Sequence, residues 1–183
     1  ADLRTLSAFG EPVRVLLDTK ATKAATKRWS WVKKGAPILV EVGPRDVAGG
    51  NVAVVRRDRL YKEDGKLNSA FIARADFVGS LADTLVNIEK SLFTEANDRL
   101  ESNIRRDVTD LAAHFKGDEA KFAGWVEVQW ARPTGEALTK IVETLKGLKL
   151  TMRNAPIGAA SVDGTCFFTG APAVERILIG RTY

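Results

Sequence analysis

Three arginines, Arg45, Arg56 and Arg57, stand on the stretch VEVGPRDVAGGNVAVVRRD (Val40–Asp58). A guanidinium is always charged and offers a planar fork of donors. Its natural partners are carboxylates, phosphates and the acceptor edge of guanine. Upstream, Thr19–Val40 holds no Asp or Glu but carries Lys20, Lys23, Lys27, Arg28, Lys33 and Lys34. Such a run is either a solvated helix face with its acids placed elsewhere or the footprint of a polyanion site. The formal net charge of +5 favours an anionic partner without deciding between the two.

Catalytic chemistry finds less support. The single histidine, His114, sits beside Phe115 with no Ser/His/Asp or Cys/His constellation around it, and reads as a surface or partly packed residue. The single cysteine, Cys166, rules out an internal disulfide and argues against a thiolate metal site. No glycine-rich phosphate loop and no HExxH spacing is present. Asp46, Asp58 and Asp64 read as turn-makers before acid/base pairs. No apolar run approaches the roughly 18–20 residues of a membrane span. Binding is the better hypothesis, and a free-standing nucleotide-binding protein lacks its glycine fingerprint.

The pattern of elements has to position those cations. The first ten residues read as a helix end stopped at Gly10, PVRVLLD as a strand ending at Asp18, and Thr22–Lys34 as a helix stopped by Gly35. APILVEVG is a continuous apolar strand expected to be buried on both faces. A Pro/Gly turn leads into the strand NVAVVRRD. LYKEDGKLN is loop-like. Phe77, Leu81, Leu85, Ile88 and Leu92 recur at spacings of three and four, predicting a long amphipathic helix over Arg74–Arg99. A second α/β unit follows. It comprises a short helix and connector, a strand alternating from Trp125, and a helix capped at Thr134. KLTMRNAPI, a turn-rich segment and a last strand VERILIGRTY complete it.

If PVRVLLD and APILVEVG are neighbouring parallel strands, Asp18–Lys20 and Gly43–Asp46 emerge on one edge, where ligands of open α/β sheets sit. Phosphate contacts there would supply affinity, and Arg45 could donate two hydrogen bonds to guanine O6 and N7. A salt bridge to Asp46 or another carboxylate is its structural alternative. Alternation leaves at most one of Arg56 and Arg57 to a ligand. Trp29 and Trp31 read as packing residues rather than stacking platforms.

WVKKGAPILVEVGPRDVAGGNVAVVRRD resembles the W-E-x-K-G-x-P-(I/L)-R-x-E-(I/V)-G-P-(R/K)-D signature of class II prolyl-tRNA synthetases of the archaeal and eukaryotic-like type. The order downstream also matches: a helix ending in LFTEANDRLESNI, a second α/β domain, and a terminal LIGRTY like the family's F-(A/G)-(K/R)-(A/S)-Y. The resemblance is collinear over essentially the whole chain. It implies a mixed-sheet anticodon-binding domain over residues 1–102, beginning inside its first helix with the first strand absent. A smaller α/β (α+β) C-terminal extension, zinc-domain-like, would fill residues 103–183.

Several residues depart from the family pattern. A glutamate and an arginine that help read the anticodon guanines align with Val32 and Leu39, which can neither donate nor accept a side-chain hydrogen bond. Each lost bidentate contact weakens base discrimination by about 1–3 kcal/mol. The four cysteines of the family's zinc site align with Trp130, Gly135, Cys166 and Thr169, and one thiol cannot build a tetrahedral site, so no zinc is expected. Tyr183 aligns with a terminal tyrosine that docks toward the catalytic domain.

The resemblance therefore implies the tRNA-recognition part of a proline-tRNA ligase. ATP and Mg²⁺ would be used by an upstream catalytic domain outside this chain, and no cofactor is expected in the chain itself. The expected partners are tRNA(Pro), that domain, and a second copy in a cytoplasmic homodimer, with no membrane. The expected roles are Arg45 for an anticodon base, Lys20, Lys27 and Arg28 for phosphates, and Tyr183 for inter-domain docking. The alternative is a synthetase paralogue serving as an RNA-binding or regulatory module without anticodon specificity.

Overall fold

The computed structural model describes residues 2–117, 122–153, 155, 157 and 162–181. The chain divides into two compact units, 1–97 and 98–183.

The first unit opens with a 3₁₀ turn, Asp2–Thr5, rather than the end of an α-helix. A hairpin of β1 (Ser7–Ala8) and β2 (Glu11–Pro12) follows. Its two turn residues, Phe9 and Gly10, both take positive φ (56° and 78°), the conformation that two-residue hairpins require. Gly10 thus makes a hairpin turn rather than a helix stop. The strand expected over PVRVLLD is reduced to Pro12. Beyond Val13, whose amide donates to the Leu6 carbonyl at 2.9 Å, no described strand runs beside residues 14–18, and Leu16 and Leu17 are 76% and 81% exposed.

Helix α1 (Ala24–Lys33) ends as expected at Gly35. There φ is +88°, and the Gly35 and Ala36 amides donate to the carbonyls of Val32 and Trp31. β3 (Ile38–Glu41) leads to α2 (Pro44–Gly49), and β4 (Asn51–Arg56) returns. The expected Pro/Gly turn is therefore a short helix. Pro44 suits its first position, Asp46 accepts the Gly43 amide at 2.7 Å, and Gly50 closes it at φ +67°. β5 (Ser69–Ala73), which the sequence pattern does not announce, completes the order β3-β4-β5.

Both pairings are antiparallel. A mixed sheet was expected in this unit, and its three-stranded sheet is antiparallel throughout. The doubly buried strand is β4 and not β3, because β4 lies between two neighbours whereas β3 has a ladder on one side only. Val52 and Val54 pack with Phe77 and Leu81 of α3 (Arg74–Ser102) in the core of the unit.

The mixed sheet lies in the second unit. It contains β6 (Ile104–Arg105), β7 (Trp125–Trp130), β8 (Leu150–Met152) and β9 (Glu175–Arg181) in the order β6-β7-β9-β8. Only the β6–β7 pair is parallel. Helices α4 (Leu111–His114) and α5 (Gly135–Gly147) supply Leu111, Ile141 and Leu145 to its core. The expected alternation holds along β7, where Val126, Val128 and Trp130 are buried. Thr134 occupies the N-cap position of α5 without a side-chain capping bond. The fold class is mixed α/β, as expected. No helix among the described residues is long and apolar enough to cross a membrane.

Candidate nucleic-acid interface

Lys27 and Arg28, adjacent on α1, divide the work of fixing this unit's basic end. The Lys27 ammonium donates to the main-chain carbonyls of Lys20 (3.0 Å) and Asp18 (3.4 Å). The Arg28 guanidinium grips Glu41 through Nε (2.8 Å) and Nη2 (3.0 Å). Glu41 ends β3, just ahead of α2, so α1 ties the 18–20 loop and the start of the α2 segment to one end of the unit. The neighbouring-strand arrangement that would have achieved this is absent. Both cations are thereby committed to protein acceptors rather than left open for phosphates.

The loop is further braced by Asp18. One carboxylate oxygen accepts the Lys20 amide at 3.1 Å, and the other accepts the Trp31 indole N–H at 2.8 Å. The Trp31 hydrogen bond, then that of the Lys20 amide, hold the Asp18 carboxyl below its usual range. Trp31 is thus a packing residue as expected, and the Lys34 ammonium lies 4.4 Å from its ring centroid.

Arg45 is different. It is the second residue of α2, exposed, and its guanidinium has no hydrogen-bond or ion-pair partner among the described residues. Asp46, its expected alternative partner, is turned to the Gly43 amide instead. The ammonium of Lys20 is likewise exposed and makes no hydrogen bond or ion pair among the described residues, though its charge acts on Asp18, and those of Lys23 and Lys33 are exposed and equally without such bonds. Arg56 and Arg57 are structural. Arg56 forks onto Asp58 (3.0 and 2.8 Å), and Arg57 Nη1 donates to the Val32 carbonyl at 2.6 Å. Burial raises the Asp58 carboxyl, but the Arg56 hydrogen bond and charge outweigh it and leave the group below its usual range. Val32 and Leu39 are both half-buried, Leu39 opposite Val55 in the sheet.

Trp29 departs from expectation. It is 41% exposed and meets Tyr61, itself 51% exposed, with ring centroids 6.2 Å apart and planes inclined by 35°. The sequence showed Tyr61 only as part of a loop. An aromatic beside a lysine in a turn was the available signal, and nothing in it pointed to a partner on α1. Tyr183 lies outside the described residues.

Of the four positions that align with the family's zinc cysteines, one carries a thiol. Trp130 lies in the core, Gly135 begins α5, and only Cys166 offers a thiol. Burial raises that thiol, but hydrogen bonds from the Thr169 hydroxyl and the Phe168, Thr169 and Ala131 amides outweigh it and lower it overall. Among the described residues, no group of three or more His, Cys, Asp or Glu is placed to hold a metal ion. A cleft of about 260 Å³ is lined by Arg106, Glu127 and Arg176 among others. Glu127 lies 3.1 Å from Arg106 and 3.6 Å from Arg176, so these charges offset one another.

Residues 3–72 match the family model described as anticodon binding domain. Over nearly its full length the chain is similar to curated proteins named proline–tRNA ligase. It is 72% identical over 181 residues to that of Sphingopyxis alaskensis and 61% identical over 186 residues to that of Sphingomonas elodea. To that of Bdellovibrio bacteriovorus it is 34% identical over 185 residues. These alignments take in 99%, 100% and 100% of this chain but 34%, 36% and 35% of the relatives. The chain thus spans about a third of the length of the curated relatives it matches.

Proposed function

We propose that this chain is the tRNA-recognition portion of a proline–tRNA ligase, with Arg45 reading an anticodon base. The observation that carries the reading is an exposed Arg45, without a hydrogen-bond or ion-pair partner among the described residues, within the segment that matches the anticodon-binding family. The parent enzyme activates proline with ATP and Mg²⁺ and transfers it to tRNA(Pro). That chemistry belongs to a catalytic domain outside this chain, and the portion described here binds and orients. Residues 1–102 form the anticodon-binding domain and 103–183 the C-terminal extension, with Tyr183 docking toward the catalytic domain. The parent acts as a cytoplasmic homodimer. Its archaeal and eukaryotic-like type rests on the signature around Trp31–Asp46 alone, since the relatives named are bacterial and lend it no support.

Physically, Lys20 and the exposed lysines Lys23 and Lys33 neutralise phosphates, which sets affinity and salt dependence without reading sequence. Arg45 then supplies the fork that matches guanine O6 and N7. Lys27 and Arg28 contribute by holding the loop and strand end in place. A second reading, an RNA-binding module without anticodon specificity, is favoured by Val32 and Leu39. Filter binding of tRNA(Pro) with each anticodon guanine replaced separates the two. Loss of about 1–3 kcal/mol at one position, abolished by Arg45→Ala, supports base reading. Equal affinity for every variant excludes it.

A further inference from the structure

The feature left unexplained by Arg45 and the phosphate contacts is the exposed aromatic pair that Trp29 of α1 makes with Tyr61. Trp29 and Tyr61 brace one another, yet about half of each side chain remains in water. Tyr61 is not a loose loop residue. It bridges Leu67 across a small closed loop held by Asn68 N–H to Leu60 O at 2.8 Å and Lys62 N–H to Lys66 O at 2.9 Å. That loop is anchored in turn by the Arg56–Asp58 pair and by Arg57 on the end of α1. Two large rings, one carried by a helix and one by a hydrogen-bonded loop, therefore meet and are left uncovered, an arrangement that costs little backbone entropy when a flat ligand settles on them.

The charge around the pair selects the ligand. Lys33 lies one turn beyond Trp29 on α1, and Lys62 follows Tyr61. Both ammoniums are exposed and make no hydrogen bond or ion pair among the described residues, Lys62 lying within electrostatic reach of Asp64. Glu63 and Asp64 lie at the loop tip, where Asp64 is met by Lys66 at 3.0 Å. An exposed aromatic surface flanked by exposed cations fits a nucleobase with its phosphates, because every base has a π-face and single strands can splay bases outward.

We propose that Trp29, braced by Tyr61, is a stacking platform for one unpaired nucleobase of an RNA loop, with Lys33 and Lys62 meeting its phosphates. The proposal rests on the RNA-binding reading above and adds a base contact that is blind to base identity. It gives the chain affinity for loops over duplexes without demanding the polar readers lost at Val32 and Leu39.

The test uses the full chain and an RNA stem closed by a seven-nucleotide loop, compared with the same stem as an uninterrupted duplex. Trp29→Ala should weaken loop binding about tenfold, with the salt slope unchanged because no phosphate contact is removed. Trp29→Phe should keep most of the affinity while abolishing the part of the tryptophan quenching contributed by Trp29. Lys62→Ala should instead lower the salt slope. If Trp29→Ala binds as tightly as the parent while Arg45→Ala does not, the platform is wrong and the RNA reading stands. If the parent chain binds loop and duplex equally, the platform is wrong and the RNA reading stands; if it binds neither, both ideas fail. If Trp29→Ala also lowers the melting temperature and Trp29→Phe fails to restore binding, the residue is structural and the platform is wrong.

Discussion

Asp58→Asn tests how the 3₁₀ turn that follows β4, Arg57–Arg59, is held. The Asp58 side chain is 1% exposed, and both its oxygens accept from Arg56, whose side chain is 26% exposed. Arg59 Nε stands 3.8 Å away as a weaker partner. A hydrogen bond to a charged group is worth about 1.5–3 kcal/mol when buried. The asparagine keeps one carbonyl acceptor but loses the charge and the second acceptor. The expected loss is about 2 kcal/mol at neutral pH, or roughly 8–16 °C in melting temperature for a unit near 100 residues.

The pH dependence makes this prediction specific. Folding lowers the Asp58 carboxyl from its ordinary value of 3.8. Its contribution is therefore fully present above that value and is lost as pH falls through the lower folded value. Thermal unfolding of the parent and Asp58→Asn chains, followed in parallel from pH 7 to roughly pH 2.5, should show the gap closing only at the acid end. The other carboxylates titrate in both chains and cancel from the difference. A gap that is constant over the whole range, or absent at pH 7, would refute a stabilising ion pair at this position.

Arg28→Ala should lower stability by about 1 kcal/mol, the partial exposure of its partner Glu41 limiting the figure. It should weaken RNA binding indirectly, with the salt slope little changed, as thermal melts and binding titrations at several salt concentrations would show. In the second unit, a Cβ on Gly180 would lie 2.5 Å from the Trp125 ring. Gly180→Ala should cost about 1–3 kcal/mol of stability by melting measurements.

The sequence disclosed those elements whose pattern is local. The spacing of Phe77, Leu81 and Leu85 announced α3, and Trp125–Trp130 announced β7, because one buried face imprints its period on the residues that make it. What it concealed depends on partners distant in sequence. Val13–Asp18 has the composition of a strand yet no described strand beside it beyond Val13, and β3 is as apolar as β4 but gains only one neighbour. β5 was missed because Ser69–Ala73 shows no clear alternation, its pairing with β4 being the only thing that makes it a strand. The site was legible in the same degree. Arg45 stood out by its motif, whereas the Trp29–Tyr61 pair arises from a helix and a loop brought together by the fold.

The same distinction decides which cations can recognise anything. Lys27 and Arg28 are neighbours in an acid-free run and looked equivalent to Lys20, Lys23 and Lys33 when counted as charge. A cation that already donates to carbonyls or grips a carboxylate must surrender those bonds before it can meet a phosphate, and that exchange removes most of its gain. The useful positive field therefore comes from Lys20, Lys23, Lys33, Arg45 and Lys62, which have no such bond to break among the described residues. Lys27 and Arg28 set where those charges stand. On that argument a basic run is a poor measure of a nucleic-acid site until its internal acceptors are subtracted. The subtraction here leaves Lys20 and Lys23 ahead of α1, Arg45 after β3, and Lys33 and Lys62 beside the aromatic pair.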